Sequence, residues 1–468
     1  MMLRKTLTDA LKKLKRLGKS MSKNTNYRKV AEEKGKGTFT FKDFEKQASF
    51  KLEFYVGKEA LVFMEESFFS EAGVKLSNLH NQESVEAALY GKMESGLNIH
   101  IERLILIQAA GLKEGKPTPL KFKVFSPILV SNEDLKPTKD EMEIHYDITN
   151  FDFTGCEKTI YPKGGWNIDH FSVSFEGFTF VIKQVEKHKE IIEHLRKNKA
   201  SAITAKIIVK ADLKEKDKLS GIVTEICEIL SFATGNSVVP ITEKHFSTGK
   251  FVWSQTKSMR VEAFRSGDQL IPDFPPKAIR EFTIKAYPQY KKMKQKLGLN
   301  IIFNYYLLMK SNPIMDVRCL LGFILLECLS SHAQEYYMKG CRPIENSMKK
   351  SKIKHLEKIL PKSNNLSRKT KAKIMEEFGY KFPTLPDSIK RLMDDGGMKY
   401  KKKEAEIWKL RKEFIHKGMY PKDTTNHVQI YRNIVHFIDR LLLHILKYDG
   451  EFLNVANGYE SERINLST

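Results

Sequence analysis

The sequence predicts an α+β protein, in which an antiparallel β-rich N-terminal domain is followed by an all-α helical bundle. Apolar and polar residues alternate with a period of two in many segments after residue 37, which is typical of strands with one solvated face. Helical spacing of apolar residues replaces this alternation after the proline-rich segment Asp273–Pro276. The chain has 468 residues, a length typical of roughly two to four domains.

The first predicted segment is a basic N-terminal extension, residues 1–36. Leucines at helical spacing run from Leu3 to Leu14 among lysines and an arginine, and Gly18 follows them. This pattern predicts a short basic amphipathic helix. Such a helix could lie on RNA or on a membrane surface, and a mobile N-terminal extension is the alternative.

The second predicted segment is the β-rich domain, residues 37–272. Its alternating strands are predicted over residues 50–56, 97–101, 120–124, 142–148, 203–209 and 251–261. Two helices are predicted between these strands. The first covers Val185–Leu195, and the second covers Leu219–Phe232, where Gly235 is the expected stop signal.

The third predicted segment is the helical domain, residues 273–468. Helices are predicted over residues 278–293, 299–310, 314–338, 352–360, 367–378, 404–416 and 427–447. Pro361, Pro383 and Pro386 indicate loops, because proline interrupts a helix. The segment Met315–Glu335 is rich in Leu, Ile and Phe, so we expect it to be the central core helix.

The composition excludes several classes of protein. No apolar run reaches the roughly 20 residues that a membrane helix needs, so we expect no membrane-spanning segment. No apolar signal segment with a cleavage site is present at the N-terminus, so we expect a cytoplasmic protein. The 5 cysteines are widely spaced without a C-x-x-C motif, which favours reduced thiols over disulfides or structural zinc. Motifs for nucleotide, calcium or zinc binding are also absent, so we predict no cofactor and no metal site.

The positive charge is concentrated in two stretches. The net charge is +23, and residues 1–35 contain 11 basic and 3 acidic residues, while residues 349–403 contain 17 basic and 6 acidic residues. These stretches account for 19 of the 23 excess charges. Clustered positive charge indicates a polyanionic partner such as nucleic acid. A solvated basic surface is the alternative.

An arginine and a histidine near the end of the predicted helix 404–416 could perform chemistry on RNA. Arg411 and His416 are five positions apart, about 140° around an ideal helix. They converge only if the helix end unwinds or a second copy of the chain supplies the partner. Histidine exchanges protons near neutral pH, and the arginine fork matches phosphate oxygens. Together they could cleave RNA without a metal, with the 2′-hydroxyl as nucleophile. The alternative is that Arg411 pairs with Glu406 or Glu413 and His416 caps helix carbonyls.

The elements around this motif resemble a known family. A core helix (Met315–Glu335), a basic excursion, the segment RKEFIHKG from Arg411 to Gly418 and a closing Leu-rich helix follow each other. This order is similar to a HEPN domain, whose signature is R-x4–6-H in an α-helical domain. The closing sequence LLLHILKYDGEF (441–452) and the segment ILSFATG (229–235) resemble the ApeA-like branch of bacterial defence proteins. Those proteins carry a β-rich domain before the HEPN domain.

The resemblance implies a metal-independent RNA endonuclease acting in bacterial anti-phage, abortive-infection defence. It implies a homodimer formed through the HEPN domain, an RNA substrate for which tRNA is one candidate, and an unidentified phage-derived trigger. It assigns the catalytic roles to Arg411 and His416. Glu327 matches an acidic position on a core helix of the family and is the third candidate. A buried glutamate needs a partner, and Arg411 is the natural one; a helix-edge surface acid is the alternative.

Lysines near the motif are the candidates for holding the RNA backbone. These are Lys399, Lys401, Lys402, Lys403, Lys412 and Lys417. Lys412 departs from the Asn or other polar residue frequent at that position of the family. A second functional hypothesis is a non-catalytic HEPN-like module that dimerises and binds RNA or another polyanion for regulation. A DNA-binding regulator is disfavoured, because no clear helix-turn-helix is present.

Overall fold

Two compact units make up the part of the chain that the structure describes. The computed structural model describes residues 29–41, 44–55, 59–64, 86–108, 111–113, 116–118, 120–132, 142–160, 165–257, 261–267, 269–340, 385–399, 404, 407, 410, 411 and 427–464. The first unit runs to Gln269 and also includes Asp273–Ile284. The second unit contains Leu270–Pro272 and the chain from Lys285 onward.

Six antiparallel strands of the first unit close into a ring. The first nine strands are β1 (Lys29–Phe41), β2 (Phe44–Tyr55), β3 (Leu61–Met64), β4 (Glu86–Met93), β5 (Asn98–Gln108), β6 (Gly111–Lys113), β7 (Lys116–Thr118), β8 (Leu120–Val124) and β9 (Ile128–Ser131). The ring has the order β5-β4-β1-β2-β3-β8, and β8 pairs again with β5. In β8, Leu120, Phe122 and Val124 are buried while the two lysines between them are partly exposed. This alternation gives the ring an apolar interior and a polar outer face.

Strand β5 joins the ring to the rest of the sheet. Its first half, Asn98–Ile101, pairs with β9, and its second half, Leu104–Gln108, pairs with β8. The opposite edge of β5 pairs with β4 along most of its length. The sheet therefore continues from β5 through β9 into a second set of strands.

Close packing of two glycines holds β1 against β4. Gly37 lies opposite Gly91, and a Cβ atom at position 91 would lie 2.6 Å from the Lys36 carbonyl oxygen and 2.7 Å from the Gly37 Cα. We expect Gly91→Ala to destabilise the protein by about 1–3 kcal/mol, because backbone atoms must move. Gly221→Ala is the control: this helical glycine has open space around it, so stabilisation of roughly 0.5–1 kcal/mol is expected. Thermal unfolding followed by circular dichroism should give shifts of opposite sign, and equal shifts would contradict this packing argument.

The remaining strands and two helices complete the first unit. They are β10 (Met142–Thr149), β11 (Glu157–Ile160), β12 (Trp166–Phe175), β13 (Phe178–Gln184), α1 (His188–Asn198), β14 (Ile203–Ala211), α2 (Lys216–Thr234), β15 (Pro240–Ser247) and β16 (Lys250–Thr256). The sheet order from the ring outward is β5-β9-β16-β15-β10-β14-β13-β12-β11. The apolar face predicted for α2 is buried, including Ile222, Ile226 and Ile229. Gly235 ends this helix with φ 67°, a conformation that glycine adopts without steric cost.

These elements confirm the prediction of a mixed α+β fold with antiparallel strands. Two predicted limits are wrong. Strand β1 begins at Lys29, inside the predicted 1–36 extension. The first part of this strand is charged and lacks the apolar alternation that indicates a strand, but its backbone pairs with β2. The last predicted strand, 251–261, ends at Thr256. The amphipathic helix predicted before Gly18 lies outside the described residues.

The second unit is mainly helical. The chain forms α3 (Ala278–Leu297), α4 (Leu299–Ser311), α5 (Met315–Gly340), α6 (Leu385–Gly396) and α7 (His427–Ile445). The division between the units falls inside α3, between Ile284 and Lys285. Helix α5 contacts α4, α6 and α7, as expected for a central core helix. Residues 404, 407, 410 and 411 are also helical.

The second unit is not all-α, which corrects the prediction. After α7 the chain forms a two-stranded hairpin of β17 (Glu451–Asn454) and β18 (Glu460–Arg463). The Asn454 side chain accepts hydrogen bonds from the backbone N–H groups of Ala456 and Asn457, and Gly458 has φ 73°. These local turn interactions stabilise a strand pair that is too short to produce a periodic pattern in the sequence.

A helix replaces one predicted loop. Helix α6 covers Leu385–Gly396, although Pro386 was interpreted as a loop residue. Proline is favoured in the first turn of a helix, where its missing N–H has no intrahelical partner to lose. The helices predicted over residues 352–360 and 367–378 lie outside the described residues.

No helix in the described ranges is both long and apolar enough to span a bilayer. Four cysteines fall in these ranges, and each is a free thiol: Cys156, Cys227, Cys319 and Cys328. Burial raises the pKa of the Cys227 thiol, which keeps it protonated and unreactive at neutral pH.

Candidate functional site

Three of the predicted site residues lie in described parts of the second unit. Glu327 lies in α5, and Lys399 is an exposed residue just after α6. Arg411 is the last of the described helical residues 404, 407, 410 and 411, which we call the helical segment. The other predicted site residues are His416, Lys401, Lys402, Lys403, Lys412 and Lys417, and they lie outside the described residues.

Arg411 and Glu327 form an ion pair. One terminal nitrogen of the guanidinium, Nη2, contacts Oε1 of Glu327. The side chains are 22% and 30% exposed, so Glu327 is neither fully buried nor an open surface acid. Burial lowers the pKa of the Arg411 guanidinium, and a carboxylate beside it favours the charged form. The ion pair therefore holds a partly buried cation at one place on the core helix.

A second arginine–glutamate pair anchors the same segment. Glu404 and Arg411 are seven residues apart, which places them on one face of a helix, two turns apart. Glu404 accepts a hydrogen bond from Nη1 of Arg440 in α7, and both side chains are buried. The helical segment thus places a carboxylate against α7 and a guanidinium against α5. A shift of the segment by one turn, about 5.4 Å, would move both side chains out of reach of their partners.

Arg440 connects several parts of the second unit. Its Nη2 donates to the Lys399 backbone carbonyl at 3.3 Å, and its Nε lies 3.9 Å from Oε1 of Glu462 in β18. Sequence reasoning did not identify this residue. The available signal was a charged side chain inside the apolar sequence of the closing helix, and a buried arginine needs an acidic partner. Glu404 is separated from it by 36 positions, so the pattern does not identify the partner.

A polar cavity of about 420 Å³ lies beside this network. Its wall contains carboxylates, side-chain amides and one imidazole, from Glu404, Gln429, Asn433, His436, Asn454 and Glu462. His436 Nε2 is 3.5 Å from Oε2 of Glu462, and the His436 ring stacks on Phe452. These groups can accept hydrogen bonds from a small polar ligand and donate hydrogen bonds to it. Ile407 also lines the cavity, so the cavity adjoins the helical segment that contains Arg411.

His444 of α7 has a structural role. Nδ1 of His444 donates to the Arg440 carbonyl oxygen at 2.7 Å, and burial lowers the pKa of His444. His436 is near one carboxylate, Glu462, which the sequence analysis did not place beside it. Over the described ranges, no group of three or more His, Cys, Asp or Glu residues is arranged to hold a metal ion.

Another polar network covers strands β11 and β12 of the first unit. His170 Nδ1 lies 3.0 Å from Asp169 Oδ1, and the Ser172 hydroxyl donates to Glu157 at 2.7 Å. Burial alone would raise the pKa of Glu157, but the hydrogen bonds from Ser172, together with the electrostatic effect of His170 and Arg280, lower it. Since the Ser172 hydroxyl donates to a carboxylate and not to His170, this network does not form a nucleophile–base pair. We interpret it as a structural network.

Comparison with known proteins identifies a family model that matches part of the chain. The family model described as the YopA central domain matches residues 136–267. The matched segment contains β10–β16 with α1 and α2, and it covers under a third of the chain. No curated protein matches the chain, and no solved structure matches it.

Proposed function

We propose that this protein is a metal-independent RNA endonuclease of the HEPN type. The observation that carries the proposal is the ion pair between Arg411 and Glu327. It brings the arginine of the R-x4-H motif onto the core helix, beside Glu327, which matches an acidic position on a core helix of the family. A partly buried guanidinium held in one orientation can stabilise the charge that develops on a phosphate during cleavage.

The chemistry divides between three side chains. His416 moves a proton at the 2′-hydroxyl or at the leaving oxygen, because imidazole titrates near neutral pH. Arg411 stabilises the negative charge on the phosphorane. Glu327 contacts Arg411 rather than the substrate, so it is a positioning residue. The RNA itself supplies the nucleophile, and no metal is required in this scheme.

Substrate binding and assembly complete the proposal. The predicted lysines from Lys399 to Lys417 hold the RNA backbone, and each neutralised phosphate adds counterion release to the binding free energy. A homodimer formed through the helical domain brings two motifs to one cleft. We place this activity in cytoplasmic anti-phage defence, where a phage-derived trigger activates damage to host RNA such as tRNA.

The second candidate function is a non-catalytic module that binds RNA or another polyanion and dimerises. The same ion pair favours it in one respect. A purely structural role is enough to explain a guanidinium whose charge is balanced by Glu327. In that case the pair joins α5 to the helical segment, as many partly buried pairs do.

Substitution of His416 by alanine distinguishes the two functions. For the nuclease, we expect RNA cleavage to fall by about 10²–10⁴-fold, because the proton-transfer group is lost, while RNA affinity stays unchanged. Cleavage is measured on labelled tRNA in excess EDTA, and binding by fluorescence anisotropy of the same RNA. The matched control is His427→Ala, an exposed histidine at the start of α7. Unchanged cleavage in His416→Ala, or cleavage that EDTA abolishes, would contradict the proposal.

A further inference from the structure

A row of basic residues crosses the outer face of the closed ring in the first unit. Lys34 of β1 lies opposite Lys51 of β2, Lys51 lies opposite Phe63 of β3, and Phe63 lies opposite Lys121 of β8. Neighbouring strands are about 4.8 Å apart, so three steps span roughly 14 Å. This row is longer than a single phosphate group.

A second pair of lysines lies beside this row. Lys36 of β1 lies opposite Lys92 of β4, and both side chains are exposed. These two residues, with Lys34 and Lys51, line a cavity of about 610 Å³. Among the described residues that line it, the one acid is Glu94. We call the six residues Lys34, Lys36, Lys51, Phe63, Lys92 and Lys121 the lysine face.

Most of this charge has no acidic partner among the residues that the structure describes. Lys51 pairs with Glu53 at 2.9 Å. No ion pair joins Lys34, Lys36, Lys92 or Lys121 to any residue in the described ranges. Like charges on directly opposite residues destabilise a sheet, and this face contains two such pairs. An anionic ligand would remove this repulsion.

An aromatic ring lies within the row. Phe63 is partly exposed, with Lys51 Nζ 4.6 Å and Lys121 Nζ 5.6 Å from its ring centroid. These ammonium groups lie over the ring. If they turn toward the phosphates of a bound strand, the ring becomes free to stack on a base. This combination is how proteins bind single-stranded nucleic acid without sequence preference.

We propose that the lysine face binds single-stranded RNA. The length of the row favours a polymer over a free phosphate, and the ring favours a polynucleotide over an anionic lipid surface. The choice of RNA over DNA rests on the proposed nuclease function. The binding of a polynucleotide to this face does not depend on the nuclease function, because every residue of the face lies in the first unit and the cleavage motif lies in the second.

The test measures binding in the full chain carrying His416→Ala, so that the RNA stays intact. The probe is a fluorescein-labelled uridine-rich RNA oligonucleotide, titrated at several salt concentrations. The test variant is Lys34→Ala/Lys36→Ala/Lys92→Ala. Lys189→Ala/Lys197→Ala/Lys250→Ala is the control, since it removes the same charge from exposed positions elsewhere in the first unit.

Each lost phosphate contact lowers the magnitude of the slope of log K against log salt by about 0.7. We therefore expect a slope smaller by about 2 and, at about 0.15 M salt, affinity reduced about 50-fold, with the control unchanged.

Phe63→Leu tests the stacking contact separately. We expect it to weaken RNA binding by roughly tenfold and to leave the affinity for inorganic polyphosphate, which has no bases, unchanged. Equal loss in the lysine variant and its control would overturn the proposal, because it would show that net charge alone governs binding. Equal loss of RNA and polyphosphate binding in Phe63→Leu would also overturn it. Tighter binding to DNA of the same sequence, or lysine-dependent binding to phosphatidylserine vesicles without RNA binding, would replace RNA as the ligand.

Discussion

Replacing Arg411 with alanine is expected to lower the rate of RNA cleavage by about 10²–10³-fold, the effect of removing one donor that stabilises transition-state charge. The guanidinium is held by Glu327, so its orientation is set before substrate binds. Arg411→Lys should recover little activity, because an ammonium cannot form the planar bidentate contact with phosphate oxygens. Single-turnover cleavage of labelled RNA measures this effect without interference from product release.

A loss of folding in Arg411→Ala must be separated from a loss of catalysis. The variant leaves Glu327 without its guanidinium partner, and a carboxylate that is 30% exposed can then destabilise the helical unit. Arg411→Gln/Glu327→Gln is the second variant, since two amides can keep a hydrogen bond without charge. We expect it to fold with a melting temperature near that of the native protein and to remain inactive. Native cleavage rates in either variant would exclude a catalytic role for Arg411.

Replacing Arg440 with leucine is expected to lower the free energy of unfolding of the second unit by about 3–5 kcal/mol. The Arg440 and Glu404 side chains are 7% and 5% exposed, so the variant leaves a buried carboxylate without its cation. The Lys399 carbonyl also loses its donor. Urea unfolding followed by tryptophan fluorescence and circular dichroism measures the change.

Two controls make this prediction specific to burial. Lys285→Ala removes the ion pair between Lys285 and Asp449, in which the two side chains are 44% and 51% exposed. Exposed pairs contribute only about 0–1 kcal/mol to the free energy of unfolding. The double variant Glu404→Leu/Arg440→Leu removes both charges, and it should regain most of the lost stability. If Arg440→Leu costs no more than Lys285→Ala, the Arg440–Glu404 pair does not anchor the helical segment.

Local patterns predicted several elements in which one face meets a core, although they missed alternating strands such as β4, β12 and β13. The alternation in β8 and the apolar face of α2 are visible in the sequence because burial acts on residues two or about 3.6 positions apart. The same reasoning missed α6, where Pro386 occupies the first turn, and the hairpin of β17 and β18. In both cases the decisive interactions are backbone caps and turns, which leave little periodic signal.

The candidate site was predictable only in part. The contact between Arg411 and Glu327 was one of two alternatives, because a buried glutamate needs a partner whereas a helix-edge surface acid does not, and the structure pairs the two residues. The pair of Glu404 and Arg440 was not expected, since many acids could satisfy that arginine. The lysine face was also missed: counting charge along the chain mixes residues on both faces of a strand, and Lys34 was assigned to an extension outside the sheet.

By itself, the amino-acid sequence determined most of the helices and several of the strands, the change from strands to helices near residue 273 and the arginine–histidine motif, because periodicity and spacing act over a few neighbouring positions. Only the tertiary structure decided that β8 closes the ring against β5, that Lys34, Lys51 and Lys121 share one row, and that Arg440 binds Glu404. Strand register and ion-pair choice depend on residues far apart in sequence, and many alternative pairings are compatible with the same local pattern until the chain packs.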